Sequence, residues 1–393
     1  MDYIKILYIS YKNIPLYKNG EFAVNLMATD KVTDSTQVFP IHSSIYSQKL
    51  AAIIGINASG KTSSLKLIYQ ALAIILDNTS LNSNELYGRE LLQDDTDLRI
   101  VFTFKDKCYE LTATIGKKFN ARTNSSKLYY KEEVLRSKSL ASIKTKKRIL
   151  DFSHASTMVK RTEMPEAAQA VLQDDDSIVI TVTKNNTTTL RQFISFTNMN
   201  LLLTTGTTPT QVLHAFDSNL DELTSENTAD GLTYTVRFKN QQKALTVHSP
   251  AGLNNLISSG TIKGQNMISL IKDILTTGGY LIVDELENHM NKELLRMITD
   301  IFKNERINKH GACLIFTTHY TEILDFMDRK DNIYVVRREQ NPANNIEVLN
   351  YANEVKRNDV KKSEIILSNY IKGTAPLYEN IQALEDYLCS ETN

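Results

Sequence analysis

Gly55-Ile56-Asn57-Ala58-Ser59-Gly60-Lys61-Thr62 has the spacing G-x-x-x-x-G-K-T, and each constant position has a chemical reason. The two glycines let the backbone wrap closely and turn its N–H groups toward phosphate oxygens. Lys61 would bridge the β- and γ-phosphates of a nucleoside triphosphate, and the Thr62 hydroxyl would ligate Mg²⁺. Asn57 and Ser59 fall inside the same cradle. The flanks agree with this reading. Residues 50–54 are a short apolar run that stops at Gly55, as a buried strand does, and residues 62–76 repeat Leu65, Ile68, Leu72 and Ile75 on one helical face. The helix would add the positive end of its dipole to the loop. Strand, glycine loop and helix in this order predict an α/β fold with its chemistry at the carboxyl ends of the strands.

Two more apolar runs end in reactive side chains. Tyr280-Leu-Ile-Val-Asp-Glu285 closes on two acids. Asp284 would hold Mg²⁺, directly or through water, and Glu285 would polarise the attacking water as general base. Glu287 faces the same way only if strand geometry persists. Residues 313–316 run into Thr317-Thr318-His319. A histidine there could contact the γ-phosphate, although a hydrogen-bonded histidine at an ordinary strand end reads the same.

The whole-chain numbers restrict the setting. In 393 residues, 45 Lys and Arg balance 45 Asp and Glu, so overall charge gives no reason to expect nucleic acid or a membrane surface as partner. Cys108, Cys313 and Cys389 are far apart and form no disulfide or zinc pattern, which predicts a reducing, cytoplasmic setting. No apolar run approaches the ~20 residues of a membrane span. Elsewhere, residues 3–10 and 22–26 read as strands, 98–104 and 108–115 as a pair around a Lys-Asp-Lys turn, and 333–336 and 346–350 as a late hairpin. Composition changes after residue 115. Residues 116–148 hold eleven Lys and Arg, among them Lys117, Lys118, Arg122, Lys144, Lys147 and Arg148, against Glu132 and Glu133, with Phe119, Tyr129 and Tyr130 between them. That stretch is either a nucleic-acid surface or a solvated arm or protein-partner surface. The expected division is residues 1–115, an inserted lobe at 116–250, and residues 251–393. No heptads are sustained in the lobe, so it should be compact rather than a coiled coil.

Taken in order, these pieces resemble the ABC-type ATPases, in the branch that includes SMC proteins, break-repair ATPases and OLD-like phage-defence ATPases. The segment Ile257-Ser-Ser-Gly-Thr-Ile-Lys-Gly264, whose Thr261 lies 24 residues before Glu285, is similar to the signature of that family. Ser258, Ser259 and Gly260 are also an ordinary helix N-cap. Thr261 stands where the signature carries an acid, and residues 284–291 lack the family's Leu-His-Pro. Gln192 and Gln211 are both candidates for the glutamine-bearing loop. Ser368-Asn-Tyr-Ile-Lys-Gly373 before Pro376 looks like the closing segment of OLD-like members. The resemblance covers roughly residues 1–115 and 250–375. It implies a mixed central sheet, an antiparallel N-terminal β-subdomain and an inserted α/β lobe. It also implies ATP and Mg²⁺ as ligands, and a homodimer or higher homo-oligomer in which Ser259 and Gly260 of one subunit cap the γ-phosphate held by Lys61 of the other. Only 74 residues follow His319, short for a nuclease domain of about 100 residues. The resemblance thus suggests a separate effector protein and a sensor or regulatory ATPase in a two-component antiphage or toxin–antitoxin system. The alternatives are a DNA-maintenance ATPase and a slowly hydrolysing ATP-dependent scaffold.

Overall fold

The computed structural model describes residues 3–120, 124–166, 171–195, 200–229, 231–339, 343–357, 359–375 and 378–391. Along the chain run β1 (Lys5–Lys12), β2 (Phe22–Asn25), β3 (Val38–His42), β4 (Ile45–Gln48), β5 (Leu50–Ile54), β6 (Thr96–Phe104), β7 (Lys107–Asn120), β8 (Ser125–Ser139) and β9 (Ser156–Lys160). They are followed by β10 (Leu190–Phe193), β11 (Gly206–Thr207), β12 (Leu220–Thr228), β13 (Gly231–Phe238), β14 (Leu245–Val247), β15 (Tyr280–Val283), β16 (Cys313–Thr318), β17 (Ile333–Arg338) and β18 (Ile346–Asn350). The larger helices are α1 (Lys61–Leu76), α2 (Ser259–Thr277), α3 (Lys292–Lys303) and α4 (Tyr378–Glu391).

The central sheet has the order β10-β15-β16-β5-β17-β18. Its first five strands are mutually parallel and β18 is antiparallel on the edge. Every residue of β5, β15 and β16 is buried, as expected for parallel strands covered on both faces. The two faces sort by alternation. Ala51, Ile53, Ile282 and Ile315 pack against α1 and a second sheet. Leu50, Ala52, Ile54, Leu281, Val283, Leu314 and Phe316 pack against α2 and α3. Because α1 is sandwiched between two sheets, Leu67, Ala71 and Ile74 are buried as well as the expected stripe.

The second sheet is antiparallel, in the order β2-β1-β6-β7-β8-β9. The expected boundary at residues 115 and 116 therefore falls inside β7, and residues 125–160 extend the N-terminal sheet instead of opening a lobe. The basic composition marks the outer face and edge of that sheet, while Ile115, Leu128, Tyr130 and Leu135 point into the core. Several of these cations are held within the chain: Lys131 on Asp94 and Asp95, Arg136 on Glu110, Lys138 on the Arg148 and Asp151 carbonyls, and Lys146 on the Thr29 and Asp30 carbonyls. Arg122 lies outside the described residues. A separate small core does exist further on, where Leu202, Leu213, Leu220, Leu223, Tyr234 and Leu253 pack beneath the sheet β11-β12-β13-β14. No helix among the described residues is long and apolar enough to cross a membrane.

Candidate functional site

The carboxyl ends of β5, β15 and β16 meet at one edge of the central sheet, and β16 lies between the other two. After Ile54 the chain turns through Ala58 at φ +60° and Gly60 at φ +107° before α1 begins. Two glycines are required here. A Cβ on Gly55 would lie 2.1 Å from the Val336 carbonyl oxygen, and one on Gly60 would lie 2.3 Å from Ile346 Cδ1. The N-cap of α1 is Gly60 itself, so no N-cap side chain accepts from the amides of the first turn. Asn57 is exposed on the loop and Ser59 is buried beneath it, its Oγ without a hydrogen-bond partner among the described residues.

Lys61 curls back over this loop. Its Nζ donates to the Gly55 and Ile56 carbonyls at 2.9 and 3.0 Å and lies 3.3 Å from His319 Nδ1. Burial pushes its ammonium down to about 8, against the pull of Asp284, Glu287 and Glu285. The Thr62 hydroxyl donates to Asp284 Oδ2 at 2.8 Å, and the Thr317 hydroxyl donates to Asp284 Oδ1 at 2.6 Å. Thr317 in turn accepts from the Glu285 amide at 2.7 Å. Glu285 Oε1 stands 3.5 Å from His319 Nε2. His319 thus spans the space between the loop lysine and the strand-end carboxylate.

Strand geometry stops at Val283. Glu285 has φ +50°, so the two-residue alternation that would have aligned Glu287 with it is lost. Glu287 is buried instead, and its Oε1 accepts the His319 backbone N–H at 2.5 Å. It fixes the histidine's position from below.

Ser258 is the N-cap of α2 and accepts from the Thr261 amide. Ser259 and Gly260 open the helix. Ser259 is half-buried, and its Oγ accepts from Asn200 Nδ2 at 2.6 Å. A Cβ on Gly260 would lie 2.6 Å from the His289 carbonyl oxygen, so the helix start abuts the segment after the acids. Gln211 lies in the short helix Thr210–Phe216 of the small lobe. Gln192 lies in β10 and accepts from the Ile194 amide. Pro376 lies outside the described residues.

Two contributors were not singled out from sequence. Thr317 relays between Asp284 and Glu285. Lys263, 3 % exposed, donates from Nζ to the Glu285 carbonyl at 3.1 Å. The helix start around it, Ser259-Gly-Thr-Ile-Lys-Gly-Gln-Asn266, is mostly polar and gives no signal that the lysine is buried. A cavity of about 1060 Å³ opens beside the loop, bordered by Gly55, Asn57, His319, Arg338, Asn344 and Thr374.

The donor set fits a nucleoside triphosphate with Mg²⁺. The cradle admits no Cβ at either glycine, and one hydroxyl and one carboxylate already share a hydrogen bond where a cation would sit. Mg²⁺ commonly uses such a sparse protein set, with phosphate oxygens and water completing its shell. No cluster of three or more His, Cys, Asp or Glu fit to hold a metal occurs among the described residues. No protein-family model matches the chain, and no curated protein does either.

Proposed function

We propose that this chain is an ATP-hydrolysing ATPase of the ABC type that works as a dimer closed around nucleotide. The observation that carries the proposal is the convergence of Lys61, the Thr62–Asp284 pair and the Glu285–His319 pair at one sheet edge, from three segments that are distant in sequence. The uncapped start of α1 and the loop amides bind phosphate oxygens. Lys61 offsets negative charge on the β- and γ-phosphates. Thr62 and Asp284 would hold Mg²⁺, which when bound supplies charge neutralisation to the phosphates. Glu285 takes a proton from water as that oxygen bonds to the γ-phosphorus and the bond to the β–γ bridging oxygen breaks. His319 orients that carboxylate, and Glu287 orients His319. Ser259 and Gly260 lie at an accessible helix start, which supports a role in capping the γ-phosphate of a neighbouring chain. ATP would then favour the closed dimer because it touches both halves, and hydrolysis would loosen it.

The basic strands support a nucleic-acid role less well, since Lys131, Arg136, Lys138 and Lys146 are engaged internally. Phosphate release from Mg·ATP by Glu285→Gln tests the proposal. Turnover should fall by about 10²–10⁴-fold, the usual worth of a general base, with ATP binding retained and dimers accumulating in light scattering. Undetectable turnover in the unaltered protein would replace the enzyme with an ATP-dependent scaffold, and unchanged turnover in the variant would remove Glu285 as the general base.

A further inference from the structure

Glu285 sits in an unusual conformation that neighbouring elements hold in place. Its φ of +50° is left-handed, a region that disfavours non-glycine residues and persists only where the surroundings impose it. Two elements impose it here. From β16, Thr317 Oγ1 accepts the Glu285 amide at 2.7 Å. From α2, Lys263 Nζ donates to the Glu285 carbonyl at 3.1 Å; within the turn that follows Glu285, the Asn288 amide donates to the same oxygen at 3.0 Å. The peptide on each side of the strained residue is therefore fixed by a different part of the fold.

Lys263 is an expensive way to supply one hydrogen bond. It is 3 % exposed, over the Phe193 ring at 5.8 Å. Burial depresses its ammonium to about 8, while Glu287, Glu285 and Asp284 act to keep it charged. An aliphatic side chain would fill the same space without a buried charge. What only the ammonium provides is a donor to Glu285 and a countercharge for the acidic cluster.

The helix that carries Lys263 begins with Ser259 and Gly260 one turn earlier, after the N-cap Ser258, and its first two turns are tied to the small lobe. Asn200 Nδ2 donates to Ser259 Oγ, Asn266 Nδ2 donates to the Leu201 carbonyl at 2.8 Å, and Asn266 Oδ1 accepts the Leu203 amide at 2.9 Å. Gln265 Nε2 donates to the Thr204 and Thr208 hydroxyls. Helix and lobe segment are thus joined by side-chain amides, and Lys263 is the link from that unit to Glu285.

We propose that Lys263 is a positioning residue that sets the Glu285 backbone from α2, so that displacement of α2 and its attached lobe releases the base and slows hydrolysis. This rests on the reading of the site as ATP-hydrolysing and adds its regulation: the lobe of residues 200–257 becomes the input and the Lys263–Glu285 hydrogen bond the transmission. Residues 259, 263 and 266 lie on successive turns, so a shift of the helix start moves all three together.

The test uses the full chain and five proteins: unaltered, Lys263→Met, Lys263→Arg, Asn266→Ala and the double variant Lys263→Met/Asn266→Ala. Lys263→Met should lower kcat by about 10–100-fold, the range for loss of a partner that orients a reacting group. KM and the affinity for a fluorescent ATP analogue should stay within about twofold, since neither depends on Glu285. In nucleotide-free protein, hydrogen exchange at the amides of residues 284–290 should accelerate. Lys263→Arg, which keeps a buried donor and the charge, should restore part of kcat. Asn266→Ala should lower kcat alone but add nothing to Lys263→Met, because both act through one link. Unchanged kcat and exchange in Lys263→Met would overturn the positioning role, and additive effects would overturn the coupling. Should Lys263→Met not fold, Lys263→Gln takes its place with the same deciding outcomes. Failure of the functional reading is separate: the unaltered protein would then show no turnover, while the exchange measurement would still report on Lys263.

Discussion

Gly55→Ala offers a sharp test of the loop, because the demand at this position is for space and not for a rare backbone angle. Gly55 is not among the positive-φ glycines. Its added Cβ would meet the Val336 carbonyl oxygen at 2.1 Å and Ser59 Oγ at 2.6 Å. Ordinary contacts of this kind begin at 3.4 Å, so either the loop or β17 must move by roughly 1 Å. The Val336 oxygen belongs to a strand paired with β5 through Val335 and Ile54, so it cannot yield without disturbing the central sheet. Overpacking of this kind costs about 1–3 kcal/mol, and a 1 Å displacement of a positioned group costs on the order of 100-fold in rate. Urea unfolding and phosphate release read the two effects, and fluorescent-nucleotide titration reads the fit of the loop to its ligand. The matched control is Gly206→Ala, at φ +100° with nothing within 4 Å of the new Cβ; it should lose stability through backbone strain alone and bind nucleotide normally. Gly55→Ala with unaltered stability and affinity would refute the steric argument and the assignment of the loop as a close-fitting cradle.

Two further outcomes follow from the site. Asp284→Asn removes the charge from the oxygens that accept from Thr62 and Thr317; turnover should fall by about 10–100-fold or more and require higher Mg²⁺, whereas an unshifted Mg²⁺ titration would place the cation elsewhere. The pH dependence of stability has a definite sign. Lys61 and Lys263 sit at about 8 in the folded chain against 10.5 unfolded, so between those values the unfolded chain binds more protons and stability rises with pH, by at most about 1.4 kcal/mol per unit for each lysine. Below about 8 both states are protonated and the slope vanishes. Urea midpoints of nucleotide-free protein between pH 8 and 9.5 should therefore rise relative to Lys263→Met; parallel curves would mean that Lys263 is not the titrating group.

The strands and the loop of the site were legible because parallel strands covered on both faces leave unbroken apolar runs, and Leu50–Ile54, Tyr280–Val283 and Cys313–Thr318 each end at a chemically distinct residue. The direction of Glu287 was not legible, since it depends on Glu285 adopting a left-handed angle that no local pattern announces. Lys263 was missed because its partner is a backbone carbonyl 22 residues away, brought close only by packing of α2 on the sheet. The boundary at residue 115 was misplaced because the lysines and arginines beyond it alternate with Leu128, Tyr130 and Leu135, which complete the core above α1. Composition recorded the outer face of an existing sheet as a change of domain.

The most direct measurement mixes two inactive variants, Lys61→Ala and Ser259→Arg. Each alone should release phosphate at background rate, since every site in either homodimer lacks one half. In an equal mixture half of the dimers are mixed, and each of these holds one intact site of two, so about a quarter of the unaltered activity should return. No recovery from folded, exchanging subunits, or full activity of Ser259→Arg by itself, would contradict a nucleotide site built from two chains.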